Sequence, residues 1–171
     1  MKIVAAVALL LLPSFALADV ADSSTSGFTV KISMTIQAKP ADVYRKLVHN
    51  VGDWWNSEHT FSGSAKNLSI EEKPMGCFCE AIPGRGGVRH MEVLRYETGK
   101  LLVMSGALGP MQPMAATGTM TIQLAPAEGG TKFDMTYTVG GYSAAGMNTW
   151  AAPADGMLKE QFGRLKKYAE Q

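Results

Sequence analysis

Three side chains near the middle of the chain, Glu80, His90 and Glu92, have the types that proton transfer needs. A carboxyl group that loses its water in an apolar site holds its proton more tightly, and beside a histidine it can serve as a general acid or base. These residues predict proton transfer on a bound carbonyl compound. Two other interpretations stay open: a buried hydrogen-bonded trio without chemistry, or a shifted strand register that leaves Glu92 in water. The trio lacks the short-spaced ligand pair typical of a metal site, so we predict no metal.

A single strand is predicted to carry His90 and Glu92. If its two arginines face solvent, strict alternation places His90, Glu92 and Leu94 on the inward face. In the preceding strand, Glu80 lies two residues after Phe78, so these two side chains share a face. We therefore expect Glu80, His90 and Glu92 to meet inside the molecule.

The two cysteines, Cys77 and Cys79, are separated by Phe78 alone. In an extended strand their Cα atoms lie about 6.6 Å apart with parallel side chains, whereas a disulfide requires Cβ atoms about 3.8 Å apart. We therefore favour two small side chains packed on one sheet face, with a strained or redox-active bridge as the alternative. Two thiols without further ligands are a weak zinc signal.

Aromatic and flexible apolar side chains supply the candidate binding surface. Rings at a cavity mouth stack on a flat guest, or they simply anchor a short helix. Methionine thioethers adapt to irregular guests, or they fill gaps in an ordinary core. The predicted ligand-binding residues are Trp54, Trp55, Phe61, Phe78, Glu80, His90, Glu92, Met104, Met111, Met120, Met135, Tyr137, Leu158 and Phe162.

Other segments carry weaker signals. The apolar segment 108–114 contains Gly109 and two prolines, which is typical of a lid over a cavity or of a rigid connector. His49 and His59 have no recognisable partners and are expected at the surface. The sequence has no serine-hydrolase elbow, phosphate-binding glycine loop or dinucleotide fingerprint, so we predict no cofactor.

Hydrophobic periodicity predicts the elements that position these residues. A strand with one buried face covers 28–37, a helix follows from Pro40 to about Asn50, and a second short helix carries the two tryptophans. Turn signals then separate short strands, and a helix covers about Asn148 to Glu170. The predicted short strands are Asn67 to Glu71, Cys77 to Ala81, Val88 to Tyr96, Leu101 to Gly106, Thr117 to Leu124 and Lys132 to Val139.

The amino terminus predicts an export signal. Lys2 precedes an unbroken apolar run from Ile3 to Leu12, and Ala16, Leu17 and Ala18 supply a small-residue cleavage site. The run is about half the length that a membrane span needs, although an uncleaved anchor is the alternative. We expect a signal peptide at 1–18, cleaved after Ala18, and a soluble protein without a membrane span in the periplasm or secreted.

Composition sets the remaining limits. The 171 residues are 46% hydrophobic and 18% charged, with 16 Lys and Arg against 15 Asp and Glu. This balance excludes a disordered chain and a basic nucleic-acid-binding protein. The length suits one domain that buries roughly 70% of the surface of its unfolded chain, so it can hold both a core and a cavity. We predict a flexible lead-in at 19–27 and a single domain at 28–171.

The order of these elements predicts an α+β fold. A curved antiparallel sheet of about seven strands has one apolar face, and the long carboxyl-terminal helix is the only element large enough to cover it. Because a curved sheet and a helix do not interdigitate fully, a wedge should remain between them. That wedge is the predicted ligand site.

Several groups of residues carry a resemblance to a known family. They are Ile36, Ala38, Pro40, Val43 and Tyr44, then Trp54 and Trp55, then Gly76, Phe78 and Glu80, then 106–112, and finally Ala152, Pro153, Asp155, Gln161, Arg164 and Leu165. This pattern resembles the START-related SRPBCC superfamily, in the branch of the activator of Hsp90 ATPase homologues. The resemblance implies a helix-grip (START/Bet v 1-like) fold with a hydrophobic cavity. Members include lipid and steroid carriers, hormone and flavonoid binders and aromatic polyketide cyclases, and the superfamily has no universal catalytic residues.

Three functions remain open from the sequence. The leading prediction is a carrier or sensor that binds a hydrophobic or aromatic small molecule, with Glu80 and His90 orienting one polar group. The alternative is a cyclase or hydrolase in which Glu80 and His90 are catalytic and move protons. A third hypothesis is a protein-interaction module without a ligand. A role with cytosolic Hsp90 is not expected, because the export signal takes the chain elsewhere.

Overall fold

The computed structural model of the protein describes residues 17–171. The predicted signal peptide therefore lies outside the described residues except for its last two positions, and its cleavage stays a prediction. Across the described residues, no helix is both long and apolar enough to cross a membrane.

Eight antiparallel strands form one open sheet. Their order across the sheet is β1-β2-β8-β7-β6-β5-β4-β3, so β2 pairs with the last strand, β8, and the edge strands are β1 and β3. This confirms the predicted α+β architecture, with one strand more than expected. The strands are β1 (Leu17–Ser24), β2 (Gly27–Ile36), β3 (Leu68–Ile70), β4 (Cys77–Ile82), β5 (Gly86–Glu97), β6 (Leu101–Ser105), β7 (Ala115–Ala127) and β8 (Gly130–Tyr142).

The additional strand, β1, corrects the expectation of a flexible lead-in at 19–27. It pairs with β2 in antiparallel register, with Val20 opposite Val30 and Ser24 opposite Gly27. Its side chains from position 21 to 24 are exposed, since β1 is an edge strand held by backbone hydrogen bonds. A polar edge strand lacks the apolar alternation that marks a half-buried strand, so its composition alone indicates a loop.

Three α-helices cover the apolar face of the sheet. Helix α1 (Pro40–His49) begins with proline in its first turn and buries Val43, Tyr44, Leu47 and Val48. Helix α2 (Val51–Trp54) follows at once. The long helix α3 (Ala151–Ala169) packs across the sheet through a stripe that includes Leu158, Phe162 and Leu165. Each matches a predicted helix to within a few residues.

Two glycines lie side by side, Gly106 just after β6 and Gly118 in β7, joined by a hydrogen bond from the Gly106 N–H to the Gly118 carbonyl at 2.9 Å. Ser105 is opposite Glu92, so the next residue, Gly106, lies beside Met91 of β5. Gly118 lies opposite Val139 in the β7–β8 pair. A Cβ atom at Gly118 would lie 2.7 Å from Cε2 of Tyr137. Because Gly118 has no side chain, the Tyr137 ring can lie over β7 at this position.

Candidate functional site

A cavity of about 360 Å³ lies between the sheet, the segment 55–61, the loop 108–111 and the first half of α3. The sheet contributes His90 and Tyr137 to it. The other walls are mainly apolar, from Trp55, Phe61, Leu108, Met111, Trp150 and Met157. The predicted wedge between sheet and helix is therefore present, at the end of the helix where the chain enters it.

A β-bulge turns His90 toward this cavity. In the β4–β5 pair, Phe78 is opposite Met91 and Cys79 is opposite Arg89, so His90 is the extra residue of β5. His90 and Met91 are consecutive and both buried, with 7% and 1% of their surfaces exposed. Because of the bulge, two consecutive side chains point inward, and the alternation after them is shifted by one residue.

The predicted inward position of Glu92 is wrong. The Glu92 side chain is about one-third exposed, at 34%, and its Oε2 lies 3.0 Å from Nη1 of Arg89. A second irregularity between Val93 and Arg95 restores the original alternation, and Leu94 is exposed. Arg89 and Arg95 face solvent and His90 points inward as expected, but the two bulges reverse the predicted orientation of residues 91–94.

Glu80 is almost fully buried, and both oxygens of its carboxylate accept hydrogen bonds from neighbouring groups. Its Oε2 accepts hydrogen bonds from His90 Nε2 at 3.0 Å and from the Phe61 backbone N–H at 3.1 Å, and its Oε1 accepts one from the Ser62 N–H. Burial raises the pKa of the Glu80 carboxyl, but the hydrogen bonds from Ser62, Phe61 and His90 together lower it further, so that the pKa lies below its ordinary value. Glu80 is therefore ionised, and it anchors the loop after Thr60.

His90 is neutral beside this carboxylate. Burial lowers the pKa of its imidazole more than the bond to Glu80 raises it. A neutral imidazole facing a carboxylate must donate from Nε2, which leaves the lone pair on Nδ1. Within residues 17–171 no protein group bonds to Nδ1. The ring is held between Phe61 and Phe78, with centroid distances of 6.0 Å and 5.1 Å.

Tyr137 connects the sheet to the loop that closes one wall. Its hydroxyl donates to the Gly106 carbonyl at 3.0 Å and accepts from the Leu108 N–H at 3.2 Å. Burial raises the pKa of Tyr137 to about 12, so the hydroxyl is protonated across the physiological range. Because the hydroxyl both donates and accepts a hydrogen bond within the protein, Tyr137 positions the loop that forms this wall.

The structure divides the predicted binding residues into two groups. Trp55, Phe61, His90, Met111 and Tyr137 line the cavity. The remaining apolar candidates are buried in the core and do not line the cavity: Trp54, Phe78, Met104, Met120, Met135, Leu158 and Phe162. Trp54 stacks on Phe162 there, at 6.1 Å between centroids. Phe162 also packs on Phe133 of β8, at 5.1 Å between centroids, so α3 contacts the sheet there.

The cavity has further lining residues that were not predicted from the sequence. Trp150, Ala154 and Met157 follow one another at spacings of four and three residues along the start of α3. This second apolar stripe lies beside the core stripe, and its helical spacing was a signal that could have identified it. Leu108, Gly109 and Pro110 belong to the segment 108–114, which was predicted as a lid over a cavity or a rigid connector, and they line the cavity.

Both remaining histidines have glutamate partners, contrary to expectation. His49 Nε2 lies 3.0 Å from Glu72 Oε2, and His59 Nε2 lies 3.0 Å from Glu160 Oε2. His59 lines the cavity and Glu160 lies on α3, so this pair joins the two sides of the opening. The partners are over twenty and one hundred residues away in sequence, and spacing does not reveal them.

The two cysteines form a disulfide, which overturns the preference for unbridged side chains. Their Cα atoms are 5.2 Å apart, closer than in an ordinary strand. Phe78 and Glu80 point into the molecule, so the bridge lies on the outer face of β4. It is at the same level of the sheet as the His90 bulge, where regular strand geometry is already interrupted.

Comparison with known proteins identifies the superfamily. A family model described as polyketide cyclase/dehydrase and lipid transport matches residues 27–170. No curated protein matches the chain significantly.

Solved structures share the fold at low identity. A putative uncharacterized protein from Rhizobium leguminosarum is 15% identical, with a TM-score of 0.64 over 92% of this chain and 99% of that one. A protein from Chromobacterium violaceum is 15% identical, with a TM-score of 0.59 over 84% and 97% of the two chains. Ara h 8.0201 is 14% identical, with a TM-score of 0.58 over 84% and 97%. These similarities establish a helix-grip fold.

Proposed function

Since the chain belongs to the family described as polyketide cyclase/dehydrase and lipid transport, we propose that it binds a hydrophobic or aromatic small molecule between the sheet and α3. It acts as a carrier or sensor. One observation carries the proposal: the cavity of about 360 Å³ has mainly apolar walls, and the neutral imidazole of His90 is among the few polar groups that line it. A pocket of that volume with few convergent polar groups is typical of small-molecule sites.

Apolar burial supplies most of the binding free energy. Each 100 Å² of apolar guest surface removed from water contributes roughly 2.5 kcal/mol, whereas one hydrogen bond between neutral groups contributes about 1 kcal/mol net. Nδ1 of His90 is an acceptor, so the preferred guest has a hydroxyl or N–H donor beside an apolar or aromatic body. The imidazole therefore orients the guest, and the walls hold it.

Native mass spectrometry of protein purified from its own host tests this proposal. We expect a copurifying small molecule in the wild type, retained in most molecules of the His90→Phe variant. Phenylalanine keeps the ring between Phe61 and Phe78 but removes the acceptor. His49→Phe, at an exposed site, is the matched control. Repeated absence of any adduct in the wild type contradicts the proposal and favours a protein-interaction module without a ligand.

The second candidate is an enzyme of the cyclase or hydrolase type, and the buried Glu80–His90 pair favours it. In that case the neutral Nδ1 of His90 takes a proton from a bound hydroxyl or acidic C–H group, and the Glu80 carboxylate stabilises the imidazolium that forms. The small molecules recovered from His90→Phe distinguish the candidates. A carrier yields the same masses as the wild type, whereas an enzyme yields unreacted substrate in the variant.

We also propose that the mature protein is exported to the periplasm or secreted. The apolar leader with its small-residue cleavage site supports this, and so does the bridged pair Cys77–Cys79, because disulfides persist in oxidising compartments. The motifs quoted above support placing the chain in the branch of the activator of Hsp90 ATPase homologues. Amino-terminal sequencing of the mature protein should begin at Asp19, and retention of Lys2 would contradict export by cleavage.

A further inference from the structure

The wall of the cavity contains an acidic side chain and no basic one. Within residues 17–171, the lining residues include Glu58 but no lysine or arginine. Glu58 is also exposed, so it lies at the opening, where the cavity meets solvent. The ion pairs of the described residues all join other side chains, which leaves the Glu58 carboxylate without a cationic partner. Its charge is therefore available to a guest.

A second carboxylate, that of Glu160 on α3, lies at the same opening. Its Oε2 is 3.0 Å from Nε2 of His59, which lines the cavity, and its Oε1 accepts a hydrogen bond from Asn56 Nδ2 at 2.5 Å. These hydrogen bonds, from Asn56 and then His59, hold the pKa of the Glu160 carboxyl below its ordinary value. His59 supplies at most one positive charge against the two carboxylates of Glu58 and Glu160. These three side chains are therefore net negative in either protonation state of His59.

The nearest basic side chains of α3 are engaged elsewhere. Arg164 lies one helical turn from Glu160, but its Nε donates to the Trp54 carbonyl at 2.8 Å, and it lines a separate depression outside the cavity. Lys159 pairs with Asp155, at 2.5 Å between Nζ and Oδ2. Neither side chain is part of the cavity wall, so neither offers a partner to an anionic guest inside it.

The inner polar group of the cavity has the same preference. His90 presents Nδ1 as a hydrogen-bond acceptor, and the ionised Glu80 lies behind it, 3.0 Å from Nε2. A carboxylate placed there would face a lone pair and a second negative charge. An N–H group would instead find an acceptor. Both ends of the cavity thus disfavour an anion.

We propose that the cavity selects its guest by charge: it takes an apolar body with an amine at its polar end and rejects carboxylates such as fatty-acid anions. This inference rests on the proposed binding function and adds the class of guest. An ammonium group at the opening keeps its contact with water, so its desolvation costs little. The carboxylates of Glu58 and Glu160 attract it there and repel an anion, and the low-dielectric walls focus their field at the opening.

Three guests with the same ten-carbon chain test the proposal: decylammonium, decanol and decanoate. Each displaces one fluorescent apolar probe from the folded protein at pH 8, below the concentration at which the guest aggregates. We expect decylammonium to bind more tightly than decanoate, on the order of tenfold at low salt. Because the two ions carry charges of opposite sign on equal chains, the comparison isolates the sign of the charge. About 1 M sodium chloride should shrink the difference, since the Debye length is then about 3 Å.

Two variants that each remove one negative charge locate the effect. Glu58→Gln should reduce the difference between decylammonium and decanoate. Glu128→Gln is the matched control and should retain it, because Glu128 is exposed in the turn between β7 and β8. That turn is at the opposite end of β7 from the loop that lines the cavity. Urea denaturation verifies that both variants are folded.

The outcomes separate this inference from the binding function. If decanol binds and decanoate binds as tightly as decylammonium, the charge selection is overturned and the binding function stands. An equal effect of Glu58→Gln and Glu128→Gln also overturns it, because net charge would then explain the preference. Failure of all three guests to displace the probe would contradict the proposed binding function and this inference with it.

Discussion

Glu80 anchors the loop that contains Phe61 and Ser62. Its carboxylate accepts the backbone N–H groups of Phe61 and Ser62, whereas a glutamine would turn an NH₂ group toward one of these donors. We predict that Glu80→Gln lowers the free energy of unfolding by about 1–3 kcal/mol, measured by urea denaturation. Glu92→Gln is the control, because that side chain forms a surface ion pair worth about 0–1 kcal/mol. Equal losses in the two variants would show that the anchor has no special role.

His90 makes stability depend on pH. Its pKa in the folded protein is lower than the ordinary value of 6.5, so the unfolded chain binds this proton more tightly. The stability that the neutral ring contributes is complete above pH 6.5 and is lost as the pH falls below it. The lowered pKa of Glu80 adds a further loss only below its ordinary value of 4.5.

Urea denaturation between pH 7.5 and pH 5 measures this effect. We expect the free energy of unfolding of the wild type to fall across the range, and the fall to be smaller in His90→Phe. His49→Phe should retain the wild-type dependence. An unchanged pH dependence in His90→Phe would contradict a neutral, buried His90.

The candidate site was only partly predictable from residue types. Glu80 and His90 both point inward, as alternation from Phe78 and the exposed Arg89 implied. Glu92 did not follow, because two bulges in β5 reverse the alternation over four residues. A bulge is set by pairing with the neighbouring strands, so a single strand's sequence carries little signal for it.

Gly118 in β7 shows how one strand position shapes the cavity. A methyl group there would lie 2.7 Å from the Tyr137 ring and 2.9 Å from the Thr138 carbonyl oxygen, closer than packing allows. We predict that Gly118→Ala moves Tyr137, loosens the loop at Leu108 and lowers the free energy of unfolding by about 1–3 kcal/mol. Gly140→Ala on β8 is the matched control, since its Cβ would meet only the Ser26 carbonyl, at 3.7 Å. An equal or larger loss in Gly140→Ala would contradict this role of Gly118.

Reduction of the Cys77–Cys79 disulfide is expected to change the shape of the cavity by moving β4. Reduction allows Cys77 and Cys79 to relax from a Cα separation of 5.2 Å toward the strand value of about 6.6 Å, which moves Phe78 against His90. We predict that dithiothreitol lowers the affinity of a fluorescent apolar probe for the wild type. The Cys77→Ser/Cys79→Ser double variant should bind with the reduced affinity in either condition. A dithiothreitol effect of the same size in that variant would attribute the change to the reductant.

Most of the other elements were predictable because their burial is periodic. The alternation of β7 and β8 and the helical stripe of α3 each repeat over several residues, and all three elements match within a few residues. The edge strand β1 could not be predicted in this way, because its pairing uses backbone groups that every residue has. Elements that bury a side-chain face are encoded locally, and elements that only complete a sheet are not.

For the whole molecule, the sequence predicted a hollow between sheet and helix but not its extent. The second half of α3 closes on the sheet through Phe162, which contacts Trp54 and Phe133. In the first half, Ala154 and Met157 line the cavity instead. Side-chain volumes decide where the wedge remains, and these depend on which residues meet across the core.

A cavity-filling substitution tests the central claim most directly. Met157 lines the hollow from α3, and the preceding Gly156 is exposed with no atom within 4 Å of its would-be Cβ. The measurement is a titration of each variant with one fluorescent apolar probe, alongside urea denaturation to verify folding. We predict that Met157→Trp loses at least about tenfold in affinity while Gly156→Trp binds as the wild type does. Wild-type affinity in a folded Met157→Trp protein would contradict binding in this cavity.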